Sequence, residues 1–302
     1  MSFFTDPLTY GFMQRAMLEA CIVGGVCGIV GCFVVLRGLA FIGDALAHAV
    51  FPGVVISYML DRSIVIGAFI FGFFTALGVG IVSRSRRVTE DSAIGVLFAA
   101  FFALGVVIIS RQSGFRRDLG ALLFGNVLGV SHTDVLVTVG IGAAVLLILF
   151  ALLKEFTLTA FDSTLARSLG YPVFWLDMAL LMLVTATIVV SLQTVGNILI
   201  LALIVTPPAT ARLLTDDLYR MMALSATLGV VASIAGLYIS YHWDLAAGAT
   251  IVLTATAFFI VALVVAPDHG LLAHEIQKRR GHHHVHHYHP ADEALTEDVP
   301  AR

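Results

Sequence analysis

The sequence predicts an all-α, polytopic helical membrane protein with about nine transmembrane helices. Three observations carry that prediction. The chain of 302 residues is 59% hydrophobic and only 12% charged, whereas about 25% of a soluble domain is charged. Its mean hydropathy is +0.97. Its apolar residues gather in separate runs of about 20, the length at which a helix crosses a bilayer. None of the roughly 10-residue alternating segments of a membrane barrel is present.

The runs follow in order. After an amphipathic lead-in at 7–15, the first covers 17–36 and Arg37 closes it. The second covers 41–60 and ends at Asp61 and Arg62. The third, 64–82, leads into the basic cluster Arg84, Arg86 and Arg87. The fourth covers 92–110. In the polar stretch that follows, the apolar piece 119–130 is too short to span and is expected to form an interfacial or re-entrant helix. The fifth run covers 135–153, the sixth 173–192, the seventh 198–214, the eighth 221–241 and the ninth 245–266. Eight or ten spans stay open, because a polar break such as 193–197 can lie inside one broken helix.

Basic residues favour cytoplasmic loops. With the N-terminus outside, nine spans place twelve of the Lys and Arg residues inside and five outside. That orientation puts the C-terminal end in the cytoplasm. The expected organisation is a transmembrane domain over 1–270 and a disordered, cytoplasmic, histidine-rich tail over 271–302. The start of the chain lacks the basic region of a cleavable signal. Cys21, Cys27 and Cys32 all fall in the first run without a C-x-x-C pair, and read as packing residues. The two lysines, Lys154 and Lys278, lie in no G-x-x-x-x-G-K-[ST] phosphate loop. If ATP drives this protein, another chain binds it. The lipid bilayer is the expected environment, and no nucleic-acid partner is expected.

Asp44 and His48 are the most informative residues. They lie four apart in an apolar run, hence on one face of a helix. Ionisable residues at membrane depth are costly and face a cavity or a partner. A carboxylate and an imidazole on one face suit a transition-metal cation. The competing reading is an Asp–His pair packed between helices. Pro52 follows four residues after His48 and frees the His48 carbonyl from its helical partner. A kink there widens the space beside the pair. Asn197, in the polar break before the seventh run, joins the candidate pore or gate residues. So do Thr206, Pro207 and Pro208, because two adjacent prolines free two carbonyls, and such helices are tolerated where they line a cavity or are buried in protein.

Residues 161–172 read as a short capped helix. Asp162 is a good N-cap, Gly170 a good stop, and Pro172 forbids continuation. Ala166 and Leu169 belong to this segment, which can plug into a soluble partner or simply connect two spans. Near the C-terminus, His282, His283, His284, His286, His287 and His289 form a tract that can bind metal. Glu19 is expected either to face an outer vestibule or to pack, and His132 and Asp134 read as ordinary loop residues.

Two stretches carry a family resemblance. One is Leu36-Arg37-Gly38-Leu39-Ala40-Phe41-Ile42-Gly43-Asp44-Ala45-Leu46-Ala47-His48-Ala49-Val50-Phe51-Pro52-Gly53. The other is Val195-Gly196-Asn197-Ile198-Leu199-Ile200-Leu201-Ala202-Leu203-Ile204-Val205-Thr206-Pro207-Pro208-Ala209-Thr210-Ala211. Between them lie Glu90-Asp91-Ser92-Ala93-Ile94-Gly95, Leu123-Phe124-Gly125-Asn126-Val127-Leu128 and the Phe161-Asp162 loop. Together, over roughly residues 10–266, they resemble the membrane permease subunits of bacterial ABC importers for zinc, manganese and iron. The family often has alanine where this chain has Pro208, and its members generally lack so histidine-rich a tail.

The resemblance implies a type II ABC importer-like permease in the bacterial cytoplasmic membrane. It implies a homodimer or pseudo-dimer on a cytoplasmic ATPase dimer, fed by an extracytoplasmic metal-binding protein. Zn²⁺ or Mn²⁺ is then the cargo, ATP sits on the partner subunit, and no cofactor is permanently bound. The Asp44/His48 helix would line the path, and 162–170 would resemble the coupling helix that docks on the ATPase. A metal channel or secondary carrier without ATP is the alternative. An intramembrane metalloenzyme fits poorly, since the chain has no H-E-x-x-H and no evident general base beside Asp44 and His48.

Overall fold

Each apolar run becomes a helix because a backbone in hydrocarbon must satisfy its own hydrogen bonds. The structure is a computed structural model and describes residues 9–83, 89–110 and 129–266. Among these residues, nine stretches are long and apolar enough to cross a membrane. The basic cluster at 84–87, most of the short helix expected at 119–130 and all six tail histidines fall outside the described residues.

The first run is a single helix, α1 (Gly11–Leu36), which takes in residues 11–15 of the expected lead-in. The second divides into α2 (Ile42–Ala49) and α3 (Phe51–Met59). Next come α4 (Ile64–Ser83) and α5 (Glu90–Ser110). The fifth run is α6 (His132–Ala151), followed at once by α7 (Leu153–Phe161) and the short α8 (Ser163–Ser168). The remaining spans are α9 (Val173–Val195), α10 (Asn197–Leu214), α11 (Leu218–Trp243) and α12 (Ala247–Val265).

Helix α1 sits at the centre, against α11, α10, α6 and α9. Small residues allow its closest approach. A Cβ on Gly24 would stand 2.8 Å from the Gly229 carbonyl oxygen, and one on Gly28 would stand 2.8 Å from that of Ser225. This is the small-xxx-small contact by which membrane helices associate without a hydrophobic driving force. Ser225 Oγ adds a 2.7 Å hydrogen bond to the Gly28 carbonyl. On one side, α10, α11 and α12 pack on one another. On the other, α2 to α5 form a group joined to the rest mainly through α9. Phe33 of α1 and Phe156 of α7, both fully buried, meet edge to face with ring centres 6.0 Å apart.

Several local expectations change. His132 and Asp134 are not simple loop residues. Ser131 caps α6 by accepting from the Asp134 backbone N–H, while the Ser131 N–H donates to the Asp134 carboxylate, a reciprocal capping box. Arg15 Nη1 lies 3.4 Å from His132 Nε2. Glu19 does not face a vestibule: it is fully buried and accepts a 2.8 Å hydrogen bond from Thr138 Oγ1 of α6.

Candidate functional site

The break in the second span positions the site. The bend expected at Pro52 falls instead at Val50, between α2 and α3. Pro52 then occupies the first turn of α3, where its missing N–H leaves no ladder bond unmade. Helix α2 thus becomes a separate two-turn unit that carries both candidate ligands on one face.

His48 Nε2 stands 3.4 Å from Asp44 Oδ1. The Asp44 side chain is 43% exposed and that of His48 26%, so the carboxylate remains open to an incoming ion. The imidazole is seated against two aromatic rings of α5, with centres 5.6 Å from Phe98 and 5.5 Å from Phe102. Those rings fix its plane and leave Nε2 turned toward polar neighbours.

The third neighbour comes from elsewhere in the sequence. Asn197 Nδ2 lies 3.1 Å from His48 Nε2. Asn197 is the first residue of α10, directly after Gly196 at φ +86°. That backbone conformation is open to glycine and costly for other residues. It ends α9 and redirects the chain, so that Asn197 enters α10 facing α2. The break suspected at 193–197 is therefore real and lies between two spans rather than within one.

Thr206, Pro207 and Pro208 do not join this cluster. They lie more than two turns further along α10, which runs through both prolines without interruption. The Ile204 carbonyl, released by Pro208, abuts Gly31 of α1. Thr210 Oγ1 donates to the Thr206 carbonyl at 2.7 Å. These prolines shape a packed face between α10 and α1.

The segment at 162–170 is a third location. Asp162 Oδ1 accepts from the backbone N–H groups of Thr164 and Leu165 at 2.9 and 2.8 Å. Gly170, at φ +84°, closes α8, and its N–H reaches the Arg167 carbonyl at 3.0 Å. Ala166 is fully buried against the body while Leu169 is 61% exposed. One side of α8 is thus anchored and the other presented.

Sequence reasoning missed one ionic link. Arg37 Nη1 donates to Asp177 Oδ1 at 2.6 Å, and Nη2 donates to Thr159 Oγ1 at 2.8 Å. A single guanidinium joins the end of α1 to α7 and α9. The signal was Asp177 itself, an acid inside an apolar run. A cavity of about 650 Å³ opens here, lined by Arg37, Arg167 and Asp177 but not by Asp44, His48 or Asn197. Two arginines against one aspartate disfavour a cation there. Among the described residues, no group of three or more His, Cys, Asp or Glu side chains is placed to hold a metal. A metal held by Asp44 and His48 would therefore need further donors.

Comparison with known proteins agrees with this architecture. The chain is 48% identical over 270 residues to the manganese transport system membrane protein MntC of Halalkalibacterium halodurans, covering 89% of this chain and 92% of that protein. It is 40% identical over 263 residues to the chelated iron transport system membrane protein YfeD of Yersinia pestis, covering 87% and 88% respectively. Among solved structures, PsaBC from Streptococcus pneumoniae in complex with Fab superimposes with a TM-score of 0.80 at 39% identity, over 92% of this chain and 99% of that one. The pattern of the ABC 3 transport family matches residues 9–266. Nine apolar helices among the described residues and that match over nearly all of them lead to one conclusion: this protein belongs to the ABC 3 transport family and is a membrane permease of the metal ABC importers.

Proposed function

We propose that this permease translocates a divalent transition-metal ion inward across the bacterial cytoplasmic membrane, driven by ATP hydrolysis on a partner subunit. The observation that carries the reading is the Asp44–His48 pair on one face of α2, with the carboxylate 43% exposed. Two permease copies facing one another would bring two such pairs to a shared path. The N-terminus lies outside and the C-terminus inside. An extracytoplasmic binding protein delivers the ion, which Asp44 and His48 hold transiently. Asn197 and Pro52 shape the path beside this pair, and Thr206, Pro207 and Pro208 bear on the gate only through the packing of α10 on α1.

A cytoplasmic ATPase dimer docks on α8. Exposed Leu165 and Leu169 beside buried Ala166 support that role, because the motion of a docked partner is then passed into the membrane domain. Residues 1–270 form the permease domain and 271–302 the cytoplasmic tail, whose histidines buffer or sense metal. Relatives named for manganese transport support manganese over zinc as the cargo, and an Asp/His pair accommodates either.

The test is uptake of radioactive manganese and zinc, each competed by the other, in cells expressing the complete transporter. Saturable uptake of one metal, lost in Asp44→Ala while the complex still assembles, is the expected result. Equal uptake in both strains would place the ion path elsewhere.

A further inference from the structure

Asn197 meets His48 at the nitrogen that a metal would take. That nitrogen, Nε2, lies 3.1 Å from Asn197 Nδ2 and 3.4 Å from Asp44 Oδ1. Asn197 is 6% exposed, and its Oδ1 is buried without a hydrogen-bond partner. An unpaired buried acceptor costs about 1–3 kcal/mol. An amide with one end paired to His48 and the other buried unpaired points to a use for that second end. An amide can also turn end for end with almost no change in shape, exchanging its donor for its acceptor. At Asn197 that turn brings Oδ1 to the position now held by Nδ2, 3.1 Å from His48 Nε2.

We propose that Asn197 is a third ligand of the metal station and sets its preference for manganese over zinc. The inference rests on the reading of Asp44 and His48 as that station. With Nδ2 inward, the amide donates to the His48 lone pair and keeps that nitrogen in its ligand form. With Oδ1 inward, it offers a neutral oxygen to an ion already held by the carboxylate and the imidazole. One chain then presents two oxygens and one nitrogen. Two copies present four oxygens and two nitrogens, six donors in all. Carboxylate and carbonyl oxygens in a six-fold arrangement suit manganese. Zinc favours about four donors, richer in nitrogen and sulfur. The rings of Phe98 and Phe102 cover other sides of the imidazole and offer no such donor, so the amide supplies the added oxygen. Gly196 holds it there by starting α10 at that point.

The experiment compares wild type, Asn197→Ala, Asn197→Asp and Asp44→Ala in the complete transporter, reconstituted in vesicles. Manganese and zinc uptake are measured separately and in competition. Binding of Mn²⁺ to the purified permease, followed by its electron paramagnetic resonance signal, gives a readout independent of transport. Asn197→Ala is expected to lower the manganese-to-zinc preference by about tenfold, with Mn²⁺ binding and manganese uptake weakened more than zinc uptake. Asn197→Asp keeps the oxygen and is expected to keep the preference. An unchanged preference in Asn197→Ala, or an equal loss of both metals in both Asn197 variants, overturns the ligand role and leaves Asn197 as packing. If Asp44→Ala also transports normally, the station itself is wrong. If Asp44→Ala is dead and only the Asn197 preference is unmoved, the station stands and this inference alone falls.

Discussion

At the scale of single residues, the decisive contacts are long-range. Arg37 holds Asp177 and Thr159 with two of its nitrogens, and its side chain is 14% exposed against 34% for Asp177. Arg37→Met leaves a half-buried carboxylate without its partner, at a cost of about 2 kcal/mol. Thermal unfolding of the detergent-solubilised protein is expected to show that loss. The double variant Arg37→Met, Asp177→Leu is expected to recover most of it, because replacing both partners of a buried pair with apolar groups is often neutral. Asp44 and His48 were legible in the sequence because their proximity follows from helix geometry alone. Asn197 on His48 and Arg37 on Asp177 bridge separations of 149 and 140 residues. No local rule contains such pairings, since they depend on which helices pack together.

At the scale of elements, the spans were legible and their joints were not. A run of about 20 apolar residues has one stable solution in a bilayer, so the nine spans follow from composition. The joint at Val50 and the helix α7 have no comparable signal. Pro52 marked the second span for a bend, but proline fits the first turn of a new helix as readily as it kinks an old one, which shifted the break to Val50. Residues 154–160, between the fifth run and the capped helix, carried no signal of their own, yet Phe156 packs against Phe33 of α1 within α7. Helix α8 was legible because both its ends are signed, by Asp162 and Gly170. Gly170→Pro tests that end. Proline fixes φ near −65°, whereas Gly170 sits at +84° and donates its N–H to Arg167. The variant is expected to insert in the membrane yet lose the stimulation of ATP hydrolysis by the binding protein, measured on the assembled transporter.

At the scale of the whole molecule, two bodies are joined mainly through α9, with α1 packed on the first of them. One comprises α10 to α12, and the other α2 to α5. The residues of the proposed metal station lie where these bodies meet, with Asp44 and His48 on one and Asn197 on the other. A shift of one body against the other therefore alters the station directly. The histidine-rich tail follows the last span in the sequence. Deleting residues 281–290 is expected to leave maximal uptake unchanged, and to alter only the response to intracellular zinc. A comparison of maximal rates in wild type and deletion strains decides this, and complete loss of uptake by stably produced protein would show that the tail is part of the path.

The split at Val50 and the restart at Gly196 have an electrostatic consequence. They bring the carboxyl end of α2 and the amino end of α10 to the same imidazole. Helix ends carry partial charges of roughly half an elementary charge, negative at the carboxyl end and positive at the amino end. Here the two oppose one another and largely offset. On the proposed reading, a divalent ion at His48 would then meet mainly the full negative charge of Asp44, with little added by the backbone, and such weak holding would favour the short stay that a site of passage needs in order to release what it has taken up.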